Sequence, residues 1–129
     1  MSHANIEATY QAYIDCINDQ DWGRLGDFVH DDVRHNGKLL GVAGYRAMLE
    51  NDYEKIPDLR FCVQMLVADP TRIACRLQFR VTPKGEFLGL PVNGRQVEFC
   101  ENVIYSFRGG KIQEVWSIID KAAIETQLP

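Results

Sequence analysis

Nowhere in the sequence do eighteen apolar residues run together, so no segment is long and apolar enough for a membrane-spanning helix, and a membrane is not an expected partner. The first residues, Met1 to Glu7, carry neither the basic start nor the apolar stretch of a secretory signal, which leads to the expectation of a cytoplasmic protein. Basic residues are outnumbered, 14 against 18 acidic ones, for a formal net charge of −4, and no run of Lys and Arg forms a stripe. A nucleic-acid backbone finds no attractive field here and is not an expected partner.

Cysteine is sparse and scattered. Cys16, Cys62, Cys75 and Cys100 form no Cys-x-x-Cys pair and no metal-ligand spacing, and no such spacing surrounds His3 or His30, so no metal is expected. Each cysteine sits in an apolar run, where a free thiol behaves as a small hydrophobe, and four buried thiols are the expectation. Gly-x-Gly-x-x-Gly and Gly-x-x-x-x-Gly-Lys-Ser/Thr loops are missing, and no serine sits in a Gly-x-Ser-x-Gly elbow. Nucleotide use and serine-based hydrolysis therefore lack support, and no cofactor is expected. There is no internal repeat, low-complexity tract or linker, and residues 1–129 read as one domain.

What is present is ordinary globular composition, 46% apolar and 25% charged, in a chain long enough to bury a core without disulfides. Ile6, Tyr10, Tyr13, Ile14 and Ile17 recur with the 3.6-residue period and predict an amphipathic helix over 5–18. Asp21 is placed to cap a short helix carrying Trp22, Leu25 and Phe28 inward, after which Val33 to Asn36 turn extended and Gly37 and Gly41 punctuate a small hairpin. From Ala43, Tyr45, Met48, Leu49, Tyr53 and Ile56 are helical again until Pro57 and Asp58. The period then changes to two. Phe61, Val63, Met65 and Val67 alternate, as do Ile73, Cys75, Leu77, Phe79 and Val81, with Asp69-Pro70-Thr71 as the turn between. A Gly- and Pro-rich loop leads to a strand from Gln96 to Phe107, and Gly109-Gly110 returns the chain through Lys111 to Asp120. Helices first and hairpin-ordered strands afterwards predict an α+β fold with an antiparallel sheet.

Alternation along the last strand puts Ile112, Glu114, Trp116, Ile118 and Asp120 on one face. A carboxylate beside Trp116 and Ile118 would be desolvated, which raises its pKa and suits it to proton transfer near neutral pH. Asp120 equally precedes a short segment, Lys121 to Gln127, that reads as a helix it would cap, and both readings stand. Glu101 shares parity with Val97, Phe99, Val103, Tyr105 and Phe107, and an inward Glu needs a partner or a proton. His35, in phase with Val33, is either a ligand-facing neutral imidazole or a structural one. Arg76, Gln78 and Arg80 lie opposite Cys75, Leu77 and Phe79, facing solvent or a partner subunit.

These features resemble the SnoaL-like polyketide cyclases and ester cyclases, within the superfamily that also contains nuclear transport factor 2 and ketosteroid isomerase. The resemblance covers nearly the whole chain and is carried by Gly41-Val42-Ala43-Gly44-Tyr45-Arg46, Pro57-Asp58-Leu59-Arg60, Gly85-Glu86-Phe87-Leu88-Gly89-Leu90-Pro91, Asn93-Gly94-Arg95, and the ending Gly110-Lys111-Ile112, Trp116, Asp120 and Gln127-Leu128. It implies an NTF2-like cone, a strongly curved antiparallel sheet with N-terminal helices around a pocket, commonly in homodimers. It implies a small apolar or polyketide-like organic ligand and cofactor-free aldol or proton-transfer chemistry, as in a cyclase, isomerase or dehydratase. Asp120 would be general acid/base, His35 a second catalytic group, and Trp116, Glu101, Tyr13, Phe99 and Ile118 the pocket. Pro83 departs from the family, in which many relatives carry a histidine at that place. A non-catalytic small-molecule-binding module of the same fold is the alternative, and an oligomerisation domain with a filled cavity a third.

Overall fold

The computed structural model describes residues 3–129, with side chains from Ile6 onward. Met1 and Ser2, at the head of the segment searched for a signal, lie outside the described residues, as does the His3 side chain. Helix α1 spans His3–Asn18 and buries the predicted stripe Ile6, Tyr10, Tyr13, Ile14 and Ile17. A 3₁₀ helix, Trp22–Asp27, follows, with Leu25 fully buried; Asp21 stands at its N-cap position without a side-chain hydrogen bond. Strands β1 (Val29–His35) and β2 (Lys38–Leu39) precede α2 (Gly41–Lys55). Then come β3 (Cys62–Ala68), β4 (Arg72–Val81), the two-residue strands β5 (Glu86–Phe87) and β6 (Leu90–Pro91), β7 (Val97–Arg108), β8 (Lys111–Ile119) and α3 (Lys121–Glu125).

One sheet has the order β2-β1-β8-β7-β4-β3, and β5 with β6 forms a separate flap. The expectation of an antiparallel sheet holds for all but one of the pairings: β1 runs parallel to β8. The two strands are joined by most of the chain and not by a hairpin, so hairpin order could not reveal the contact. The inner face carries Ile73, Cys75, Leu77, Phe79 and Val81 from β4 and Val97, Phe99, Val103, Tyr105 and Phe107 from β7, all buried against α1. Each such side chain contributes on the order of 1.5–3 kcal/mol relative to exposure, so this face and the α1 stripe dominate the folding energy.

Two β-bulges change which residues face inward. In β3 the register shifts between Val63, opposite Leu77, and Met65, opposite Arg76. The apparent run Phe61, Val63, Met65, Val67 is thereby divided: Phe61 packs on the core while Met65 and Val67 stand 60% and 65% exposed. In β8 the register shifts between Glu114, opposite Ser106, and Ile112, opposite Phe107, leaving Gln113 extra. Ile112 is buried, yet from Val115 onward the inward positions are Val115, Ser117 and Ile119, the opposite parity to the one predicted. The expectation of four buried thiols is also corrected. Cys16 and Cys75 are buried, Cys100 is half-buried and Cys62, at the start of β3, is exposed.

The helices are pinned to the sheet by few but specific bonds. Asn18 receives the Phe61 backbone N–H (2.7 Å) and donates to the Phe61 carbonyl (2.9 Å), tying the end of α1 to the start of β3. Asn18→Ala leaves both half-buried backbone groups without that partner and is expected to cost about 1–3 kcal/mol in urea denaturation, with Asn18→Asp, which keeps only the acceptor, in between. An unchanged midpoint for the Ala variant would refute this role.

Candidate active site

A cavity of about 210 Å³ lies between α1, α2, the inner sheet face and the flap. Its wall is mostly aromatic: Phe61 meets Phe79 edge-on at 5.5 Å, Phe79 stacks on Phe99 at 5.2 Å, and Phe87 of the flap lies 5.6 Å from Phe99. Into this apolar surface project Glu101 from β7, Ser117 from β8, His35 from β1, Asp52 and Tyr45 from α2, and Tyr13 from α1.

Glu101 is the most perturbed carboxyl. Burial, chiefly, pushes it up from 4.5 to about 7; a hydrogen bond with Ser117 works against that and the charge of Asp52 adds to it. Ser117 Oγ lies 3.3 Å from His35 Nε2, and burial lowers the pKa of this imidazole, favouring its neutral form. His35, Ser117 and Glu101 thus form a polar chain, with the donor and acceptor roles between Ser117 and His35 following the imidazole tautomer. Asn36 sets that chain. It adopts a positive φ of 48°, its backbone N–H bonds to the Val115 carbonyl (2.8 Å), and its side chain receives the Ser117 N–H (2.8 Å) and donates to the Ser117 carbonyl (3.2 Å).

The opposite wall supplies phenols. The Tyr13 and Tyr45 hydroxyls are 2.7 Å apart, and burial raises both pKa values so far that each remains a proton donor at neutral pH. Behind them Tyr10 donates to Tyr105 at 3.2 Å. Asp52 is pushed up to about 6 by burial, with Lys55 opposing.

Of the residues named from the sequence, the structure brings Tyr13, His35, Phe99 and Glu101 together around the cavity and leaves three elsewhere. Trp116 and Ile118 do not wall the cavity. The extra residue Gln113 turns them to the outer face of the sheet, 43% and 76% exposed. Asp120 is exposed and is not among the lining side chains; its carboxylate accepts the Ala123 N–H at 3.1 Å and caps α3. Pro83, where relatives carry histidine, is buried at the base of the flap, its carbonyl bonded to the Gly94 N–H at 2.8 Å. Asp52 and Tyr45 were missed as site residues; Tyr45 belongs to the predicted stripe of α2, and Asp52, outside that stripe, follows it by seven residues on the same helix face. Ser117 was hidden by the bulge.

Comparison with known proteins agrees with this architecture. The family model of the SnoaL-like polyketide cyclases matches residues 7–128. A SnoaL-like polyketide cyclase from Agrobacterium tumefaciens is 52% identical, with all of each chain covered and a TM-score of 0.96. TsrD from Streptomyces laurentii is 22% identical, covering 98% of this chain and 96% of its own, with a TM-score of 0.84. IdmH from Streptomyces antibioticus is 23% identical over 95% and 96%, with a TM-score of 0.80. At such identities the last two speak for the fold alone. No curated protein matches the chain.

The carboxyl of Glu101 has a measurable consequence for stability. Between its ordinary 4.5 and about 7 the folded protein holds a proton that the unfolded chain has released, so stability falls as pH rises through that window and stays reduced above it. At about 1.4 kcal/mol per pH unit the loss is roughly 3 kcal/mol. Glu101→Gln is therefore expected to be more stable than the parent at about pH 8, by up to that amount, and to lose the advantage near pH 4. Asp52 contributes in the same direction in both proteins and cancels. Equal stabilities at the higher pH would show that Glu101 is not desolvated.

Proposed function

The chain belongs to the SnoaL-like polyketide cyclase family, and from that premise we propose that it is a cofactor-independent enzyme moving a proton next to a carbonyl, with Glu101 as general acid/base. The observation that carries the reading is a carboxyl with a pKa of about 7 inside an aromatic cavity, held by Ser117 and through it by His35. A pKa at the working pH leaves enough carboxylate to take a proton and enough acid to return it.

In an aldol-type ring closure the Glu101 carboxylate takes the proton from the carbon α to the carbonyl. The phenol of the Tyr13–Tyr45 pair whose proton is free donates to the enolate oxygen, the α-carbon attacks a second carbonyl of the same molecule, whose C=O π bond opens as the new C–C bond forms, and the resulting alkoxide takes the proton back from Glu101. The same parts perform an isomerisation if the proton returns to another carbon. His35 and Ser117 are positioning residues in this scheme. The role that the resemblance implies for Asp120 passes to Glu101, because Glu101 is desolvated within the cavity whereas Asp120 is engaged at a helix end.

The reading includes a homodimer. On the outer sheet face Val67, Ala74, Ile104 and Trp116 are register neighbours, followed by Met65, Arg76, Asn102 and Ile118. A two-fold axis laying this face on itself covers both apolar edges at once. All four cysteines are free thiols, which fits the reducing cytoplasm.

The test of catalysis needs no known substrate: incorporation of solvent deuterium α to the carbonyl of small neutral ketones, followed by NMR. The protein is expected to accelerate exchange over buffer, Glu101→Gln to lower the rate by about 10²- to 10⁴-fold, and Asp120→Ala to retain it with a stability loss of about 1 kcal/mol. Binding without exchange would leave the non-catalytic binding module as the correct reading. For the assembly, sedimentation is expected to give a dimer for the parent and a folded monomer for Ile118→Glu; a parent that sediments as a monomer refutes it.

A further inference from the structure

We propose that the cavity takes an uncharged carbonyl compound built on a single ring, and that it excludes both fused polycyclic skeletons and anionic substrates of any size. The proposal rests on the assignment of the cavity as the active site and narrows what enters it.

Volume decides the first half. A cavity of about 150 Å³ lined by aliphatic and aromatic side chains is filled by benzene, so the 210 Å³ here holds about nine non-hydrogen atoms, one ring with a short substituent. A fused three-ring skeleton exceeds that. The boundary is made of large side chains locked against one another, Phe61, Phe79, Phe99 and Phe87, and packed interiors do not yield by a ring's volume without forced rotamers. Their offset and edge-on arrangement is also the one that receives another ring most favourably.

Charge decides the second half. Among the described residues, the titratable groups lining the cavity, other than its tyrosines, are Glu101, Asp52 and His35, and no lysine or arginine lines it. His35 is kept from carrying a charge by burial. A carboxylate or phosphate entering would lose its hydration without gaining a counter-ion, and would face two carboxyls. A ketone oxygen, by contrast, meets the phenolic proton that the Tyr13–Tyr45 hydrogen bond leaves free.

The experiment is a binding series read by NMR shift titration, independent of turnover, with probes that change one property each. Acetophenone is a neutral single-ring ketone of the right size, benzoate is its anionic match, and 9-fluorenone is a neutral three-ring ketone. Acetophenone is expected to bind with shifts at cavity residues, and benzoate at about pH 8 and fluorenone each to bind at least roughly tenfold more weakly. Val103→Phe, which fills the cavity, is expected to abolish acetophenone binding while the protein stays folded. Phe87→Ala, which removes the flap's ring, is expected to improve fluorenone binding by at least roughly tenfold. Benzoate or fluorenone binding as tightly as acetophenone to the parent, or no acetophenone binding up to its solubility, overturns the proposal. Acetophenone binding without α-exchange would sink the catalytic reading and leave this one intact. Exchange seen only with 3,4-dihydrophenanthren-1(2H)-one, a three-ring ketone that carries the α-hydrogens fluorenone lacks, would do the reverse.

Discussion

Opposite Ser106 and Phe107 of β7, β8 contains one residue more than the pairing requires, and strand side chains alternate with period two, so Gln113 turns over every position downstream of it. Ser117 is thereby delivered to the cavity beside Glu101 and His35. The same half-turn sends Trp116 and Ile118 outward onto a broad apolar sheet face, and ends the strand with Asp120 free to cap α3. Without the bulge Ser117 would face out, Trp116 would fill the cavity, and neither the polar chain nor the outer patch would exist.

The parallel contact between β1 and β8 completes what the bulge begins. His35 ends β1, and the Asn36 side chain just beyond it grips both backbone groups of Ser117, so the imidazole is brought against the hydroxyl by the bonds that tie the end of β1 to β8. Such support from the surrounding backbone keeps a polar cluster inside an apolar cavity in one arrangement, which proton transfer requires. Burial then supplies the electrostatics. It raises Glu101 and Asp52, keeps the phenols protonated and disfavours a charged His35, so the charge the cavity holds near pH 7 is negative and sits on its carboxyls.

Family membership accounts for the scaffold and not for the reaction, because the sheet and helices persist among relatives while the cavity lining defines the chemistry. In this chain Pro83 sits at the base of the flap, and acidic and phenolic groups carry much of the polarity of the cavity. The aromatic wall limits the size of what can enter, and the missing counter-charge limits its kind.

The sequence by itself determined the elements and their order: the α1 stripe, the α2 period from Tyr45 to Ile56, the alternation of β4 and β7, and the turn at Gly109-Gly110 are all local patterns, and local patterns are visible in one dimension. It also put Tyr13, Phe99 and Glu101 in phase with buried neighbours, because no irregularity intervenes between each of them and those neighbours, and left His35 open, in a strand whose pairing with β8 shifts between Val29 and Arg34. The tertiary structure alone decided the parallel partner of β1, the two bulges and the faces assigned beyond them, and therefore the fate of Trp116, Ile118, Asp120 and Ser117. Strand register is set by pairing between segments far apart in the chain, and one unpaired residue inverts a period-two pattern without changing a single amino acid.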